Sequence, residues 1–102
     1  MANPLLEFLI RRTDPEGSWF DVNIHDIAAV FTPKSVASEP VRDIGELGLR
    51  ILGVEVSINF EDPGFHVTLN GSIDERKARA LVDEMVLGLC RHTGQRARVV
   101  EL

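Results

Sequence analysis

Hydrophobic and polar positions alternate most regularly between residues 54 and 70. Apolar residues occupy every second position of both halves: Val54, Val56, Ile58, Phe60, Phe65, Val67 and Leu69. A period of two predicts β-strands with one apolar face. Between the halves, Pro63 and Gly64 are typical of a turn, because proline fixes φ and glycine accepts a positive φ. The pattern predicts a hairpin of strands 54–60 and 65–70, in which Phe60 pairs with Phe65.

The opposite face of this hairpin is polar and poor in charge. It carries Glu55, Ser57, Asn59, His66, Thr68 and Asn70. Antiparallel sheets commonly expose such a face to water. Depletion of charge is also typical of the centres of protein interfaces, because Ser, Thr and Asn are more easily desolvated than Lys or Glu. The face is therefore either a solvated surface or a surface for binding or dimerisation.

Residues 74–92 have the spacing of an amphipathic helix. Its apolar stripe consists of Ala78, Leu81, Val82, Met85 and Leu89. Ser72 and Glu75 have the spacing of a capping box, Asp74 is an alternative cap, and Gly94 follows the last turn. A further strand is predicted over 97–101. The order hairpin, helix, strand predicts an α+β fold, a two-layer sandwich in which helices cover a mostly antiparallel sheet.

The first half of the chain is less decisive. Residues 4–12 fit a short helix or a buried strand equally well. Residues 19–31 carry both the alternating pattern of a strand and the spacing of a helix. A short strand that runs into a helical turn satisfies both patterns. Residues 38–53 predict a second helix that begins near Pro40, although Gly45 and Gly48 weaken it.

The composition is that of an ordinary globular protein, with 44% hydrophobic and 26% charged residues, and 102 residues predict one domain over 1–102. A net charge of −5 argues against binding to nucleic acid or to anionic membranes. No apolar run reaches the roughly 18 residues of a transmembrane helix. One cysteine, Cys90, excludes an internal disulfide, and the N-terminal segment lacks the pattern of a signal peptide. These features predict a cytoplasmic location.

No catalytic, cofactor-binding or metal-binding motif stands out in the sequence. Asp21, His25 and Asp26 come closest to a ligand cluster, but a metal site needs three or four converging ligands. Cys90 and His92 are two positions apart on the predicted helix, so their side chains point in different directions. We therefore predict no catalytic residue, no cofactor and no metal.

These observations favour a non-catalytic protein-interaction module, such as an adaptor, an inhibitor or an immunity-type protein, with homodimerisation as one form of that interaction. The alternative is a small-ligand-sensing regulatory domain. The candidate interaction surface comprises Trp19, Ser57, Asn59, His66, Thr68, Asn70 and Leu87. Leu87 lies opposite the apolar stripe of the predicted helix, where either residues 5–10 or a partner would cover it.

Overall fold

Among the residues that the structure describes, six strands form one antiparallel sheet, and two helices pack on one of its faces. A computed structural model describes residues 5–14, 16–61 and 64–102. The strands are β1 (Leu5–Arg12), β2 (Ser38–Pro40), β3 (Leu47–Ile51), β4 (Val54–Glu61), β5 (Gly64–Asn70) and β6 (Ala97–Glu101). The helices are α1 (Ile27–Phe31), which follows a 3-10 turn at Ile24–Asp26, and α2 (Glu75–Thr93). The strand order is β2-β3-β4-β5-β1-β6, which confirms the predicted α+β fold.

The predicted hairpin is present as β4 and β5. Phe60 pairs with Phe65, Ile58 with Val67 and Val56 with Leu69, as the pattern predicts. Pairing extends by one step to Glu61 and Gly64, and the predicted turn residues Asp62 and Pro63 lie outside the described residues. Six of the seven apolar side chains are buried and Phe60 is half-buried. Turn chemistry and period two therefore specify this register, because a shift of one residue would expose one strand's apolar side chains.

Helix α2 confirms the predicted helix to within one residue at each end. Asp74, not Ser72, is the N-cap, because its Oδ1 accepts a hydrogen bond of 2.7 Å from the Arg76 N–H. Gly94 ends the helix with a φ of 72° and donates its N–H to the carbonyl of Cys90. The predicted apolar stripe is buried along its whole length.

The N-terminal segment is a strand, which settles the ambiguity over residues 5–12; residue 4 lies outside the described residues. β1 lies between β5 and β6 and is antiparallel to both. β5, α2 and β6 thus form a split β-α-β unit with β1 inserted between its strands. Because residues 5–10 are part of the sheet, the expectation that they cover Leu87 is wrong, and Leu87 is 53% exposed.

The predicted second helix over 38–53 is also wrong. This segment forms β2 and β3 instead. Leu47 and Ile51 satisfy both a helical and an alternating pattern, so periodicity does not separate the two structures there. Asp43 and Gly45 adopt φ values of 66° and 64°, which a right-handed helix does not allow.

Residues 19–31 contain the predicted helical turn but no strand. Phe20 stacks on Phe65 with ring centroids 5.7 Å apart. The backbone N–H of Asp21 donates to the Gln95 side chain at 2.9 Å. The segment is therefore held by side-chain contacts, and Phe20 packs on Phe65 without belonging to a strand ladder.

Candidate interaction surface

The sheet face opposite the helices contains the polar residues that the sequence singles out on the hairpin. Ser57 pairs with Thr68, and Asn59 pairs with His66. Asn70 pairs with Glu55 further along the same two strands, β5 and β4. The five predicted hairpin residues therefore share one continuous surface, as predicted. Asn70 is exposed, and the other four are half-buried by their neighbours.

β1 and β6 extend this surface with apolar side chains. Leu5 pairs with Asn70, and Leu9 pairs with His66 on one side and with Val100 on the other. All three alternate with residues of the core side, so they lie on the polar face of the sheet. Leu5 is 54% exposed, and Leu9 and Val100 are half-buried. We call the surface formed by Ser57, Asn59, His66, Thr68, Asn70, Leu5, Leu9 and Val100 the open face.

Sequence reasoning missed this apolar strip for a physical reason. β1 is apolar at Phe8 and Ile10, which are buried, and also at Leu5 and Leu9, which are not. A strand with apolar residues on both faces has no alternating pattern and resembles a helix. The signal available in the sequence was that residues 5–10 are apolar at nearly every position, which places apolar side chains on both faces of β1.

His66 lies at the centre of the open face between two carboxylates. Its Nε2 is 3.1 Å from Glu7 Oε1 on β1, and its Nδ1 is 3.1 Å from Glu61 Oε2 on β4. Carboxylates only accept hydrogen bonds, so both contacts form together only when the ring carries two protons. The contacts tie three strands together and leave neither ring nitrogen directed at a substrate or a metal ion.

Charged side chains surround the open face as exposed ion pairs. Arg98 pairs with Glu16 at 2.7 Å beside β6, and Arg50 lies 3.9 Å from Glu55 on the side of β3. Exposed pairs of this kind contribute little to stability, on the order of 0–1 kcal/mol. They add charged groups at the margins of the open face, and interfaces commonly have a polar rim.

Trp19 and Leu87 do not join the open face. Trp19 is 45% exposed and contacts Phe65 edge-on, with ring centroids 6.4 Å apart. Phe65 is a core residue, so Trp19 lies on the helix side of the sheet. Leu87 lies on α2, in the helix layer. The predicted set thus divides into five residues of one surface and two separate positions.

Leu87 lines a groove of about 510 Å³ between α1 and α2. Ala29 and Val30 form its apolar wall on α1, and Arg91 contributes positive charge from α2, where His92 also lines the groove. His92 Nε2 is 3.7 Å from Asp26 Oδ2 across this groove. The groove therefore combines an apolar wall with the guanidinium of Arg91, and the carboxylate of Asp26 lies at the same end, opposite His92.

Glu84 fixes the loop at the other end of the groove. Its carboxylate accepts hydrogen bonds from the Ser35 hydroxyl, the Ser35 N–H at 3.1 Å and the Lys34 N–H at 2.8 Å. These bonds, led by the one from the Ser35 hydroxyl, lower the pKa of Glu84 below its ordinary value. Glu84 is thus a structural anchor and not a free acid.

The residues considered for chemistry do not converge. Asp21 accepts a hydrogen bond from the Gln95 side chain at 2.7 Å, whereas Asp26 faces His92. Burial raises the pKa of the Cys90 thiol, and a smaller, opposing effect comes from the backbone N–H of Ala97. Among the residues that the structure describes, no group of three His, Cys, Asp or Glu side chains could hold a metal ion.

Comparisons of this chain with protein-family models, with curated proteins and with solved structures found no match. In the described part of the chain, neither helix has the length and apolar character needed to cross a bilayer. The function is therefore inferred from the surfaces of the molecule.

Proposed function

We propose that the protein is a non-catalytic interaction module that binds a protein partner through its open face. An adaptor, an inhibitor or an immunity-type protein would act in this way. One observation carries the proposal. In the described ranges both helices lie on the other side of the sheet, so Leu5, Leu9 and Val100 are left beside the polar side chains of β4 and β5.

The size of the open face suits a protein partner. Strands are spaced by about 4.8 Å and rise by about 3.3 Å per residue, so four strands of about seven residues span roughly 19 by 23 Å. The projected area is on the order of 440 Å², and the relief of the side chains makes the accessible area larger. A standard interface takes about 800 Å² from each partner, which is of the same order.

The chemistry of the open face divides the binding energy between two parts. Leu5 is 54% exposed, so covering the rest of its side chain would contribute about 1 kcal/mol, given about 1.5–3 kcal/mol for a fully buried leucine. Ser57, Thr68 and Asn70 offer hydrogen-bonding groups that need partners once water is excluded. Burial of Leu5, Leu9 and Val100 therefore supplies affinity, and the polar side chains of β4 and β5 supply specificity.

The test compares variants of the open face with a matched variant on α2. Asn59→Lys and Thr68→Lys each place a charge at the centre of the face, and Ala80→Lys places the same charge on an exposed position of the helix layer. Co-purification from native cells identifies a candidate partner, and calorimetry with the two purified proteins then measures affinity. We expect the open-face variants to weaken binding at least tenfold and Ala80→Lys to bind like the wild type.

A partner that both open-face variants bind with wild-type affinity would refute the proposal. So would an equal loss of affinity with Ala80→Lys, because that result assigns the effect to net charge. Circular dichroism of each variant verifies that the fold is intact.

The groove between α1 and α2 favours a second candidate function, a ligand-sensing regulatory domain. Its volume of about 510 Å³ lies within the usual range of small-molecule sites, about 300–1,000 Å³. Arg91 and His92 would bind an anionic group next to the apolar wall of Ala29 and Val30. A carboxylate- or phosphate-bearing metabolite should then raise the melting temperature by mass action, and Arg91→Glu should abolish the rise. A rise that persists in Arg91→Glu would exclude this groove as the site.

A further inference from the structure

β6 forms one edge of the sheet, and its outward backbone groups can be assigned from the bonds at its two ends. Thr13 donates its N–H to the carbonyl of Arg96 at 2.9 Å, and Leu102 donates its N–H to the carbonyl of Glu7 at 3.0 Å. The backbone N–H and C=O groups of the even-numbered residues of β6 therefore face β1. Backbone groups alternate along an antiparallel strand. The odd-numbered residues Ala97, Val99 and Glu101 thus direct their N–H and C=O groups away from the sheet.

The opposite edge of the sheet is β2, which has fewer outward backbone N–H donors than β6. Val41 donates its N–H to the carbonyl of Gly48 at 3.0 Å, so the outward residues of β2 are Ser38 and Pro40. Pro40 has no N–H, which leaves Ser38 as the outward donor of this short strand. Brevity and proline are the usual protections of a sheet edge against pairing with another chain. β6 has five residues and no proline.

We propose that a second copy of this chain pairs with β6 in antiparallel fashion, with Val99 on the two-fold axis. Val99 then pairs with Val99 of the second copy, and Ala97 pairs with Glu101. The sheet continues across the axis from one copy to the other. Both copies keep their helices on the same side, because a two-fold axis perpendicular to the sheet preserves its faces.

The pattern of β6 selects this register. With Val99 on the axis, all three outward residues find an outward partner, and Arg98 lies opposite Val100. An axis at Arg98 would place two arginines directly opposite each other, which is destabilising. An axis at Val100 would leave Ala97 without a partner in β6. Val99 on the axis and Glu101 at the end of β6 each direct an N–H away from β1.

The position of α2 favours a second copy over an isolated extended peptide. α2 packs on β1 and β6, the two strands next to the axis. With strands about 4.8 Å apart, a helix above the midpoint of β1 and β6 lies about 5 Å from the axis, so the two α2 helices would be about 10 Å apart. Packed helices are separated by about 8–10 Å. A strand-paired dimer therefore also brings the two helices into packing range, whereas a peptide would leave the flank of α2 uncovered.

Sedimentation and amide hydrogen exchange across a concentration series test the inference on the full chain. We expect the mass to double with concentration, and the exchange of the Val99 and Glu101 amides to slow at least tenfold over the same range. The Ser38 amide on the opposite edge should be unaffected. A chain that stays monomeric at about 1 mM would overturn the inference, as would a dimer in which Val99 and Glu101 exchange as fast as Ser38.

Two variants distinguish the contribution of the Glu101 backbone N–H to dimerisation from that of its side chain. Glu101→Pro removes an outward N–H without removing a bond to β1, and proline belongs naturally on an edge strand. Glu101→Ala keeps the N–H. We expect Glu101→Pro to raise the dimer dissociation constant at least tenfold and Glu101→Ala to change it less than threefold. Equal effects of the two would contradict strand pairing.

The edge of β6 is separate from the centre of the open face. Asn59→Lys, which tests the proposed function, should leave dimerisation unchanged. The experiments can therefore refute partner binding by the open face without refuting strand pairing at β6, and the reverse.

Discussion

Gly64 provides the sharpest test of how β1 is positioned against the hairpin. A Cβ at this position would lie 2.0 Å from the backbone oxygen of Ile10 and 3.1 Å from its carbonyl carbon. Backbone atoms cannot move aside as a flexible side chain can, so Gly64→Ala must displace the end of β1 from β5. Overpacking costs about 1–3 kcal/mol, and a lost ladder hydrogen bond adds about 1 kcal/mol. We therefore expect Gly64→Ala to lower the free energy of unfolding by about 3 kcal/mol.

Urea denaturation monitored by circular dichroism measures this change. The midpoint should fall while the slope stays the same, because one methyl group hardly changes the surface area that unfolding exposes. At about 4–8 °C per kcal/mol, the melting temperature should fall by about 12–24 °C. Gly17→Ala is the control, since Gly17 has a φ of 84° but no atom within 4 Å of a built Cβ. Left-handed backbone costs an alanine about 1 kcal/mol. If Gly64→Ala is no more destabilising than Gly17→Ala, the close approach of β1 and β5 is refuted.

Two further predictions concern helix α2. Asp74→Ala should cost about 1 kcal/mol by removing the N-cap, whereas Ser72→Ala should change stability by less than about 0.5 kcal/mol; equal losses in urea denaturation would contradict the cap assignment. Glu84→Gln should lower the urea midpoint at pH 7, because the charged acceptor for Ser35 and Lys34 is lost. The pKa of Glu84 is lowered in the folded state, so its contribution is complete above the ordinary value of about 4.3 and disappears as the pH falls through the folded value. The difference between wild type and Glu84→Gln should therefore narrow below about pH 4, and a difference that is constant down to pH 3 would refute this role.

Part of the candidate surface was visible in the sequence because hairpin register is a local property. Ser57 and Thr68 lie side by side because the alternation of Val56, Ile58 and Val67 admits one register. The apolar strip on β1 was not visible in this way. Leu9 lies beside His66 through a pairing between positions 57 residues apart, and nothing near Leu9 in the sequence specifies that partner.

The sequence by itself determined the hairpin and helix α2, because each combines a clear period with local turn or capping residues, and it indicated strand β6 after Gly94. Tertiary structure decided the place of β1, the strands of residues 38–51 and the irregular path of residues 17–23. In these segments the apolar residues satisfy two periods at once, so contacts with distant strands select the conformation. The same distant pairing creates the open face and the free edge of β6. A local pattern specifies which way a side chain points, and the neighbours it meets depend on which strands are brought together from far along the chain.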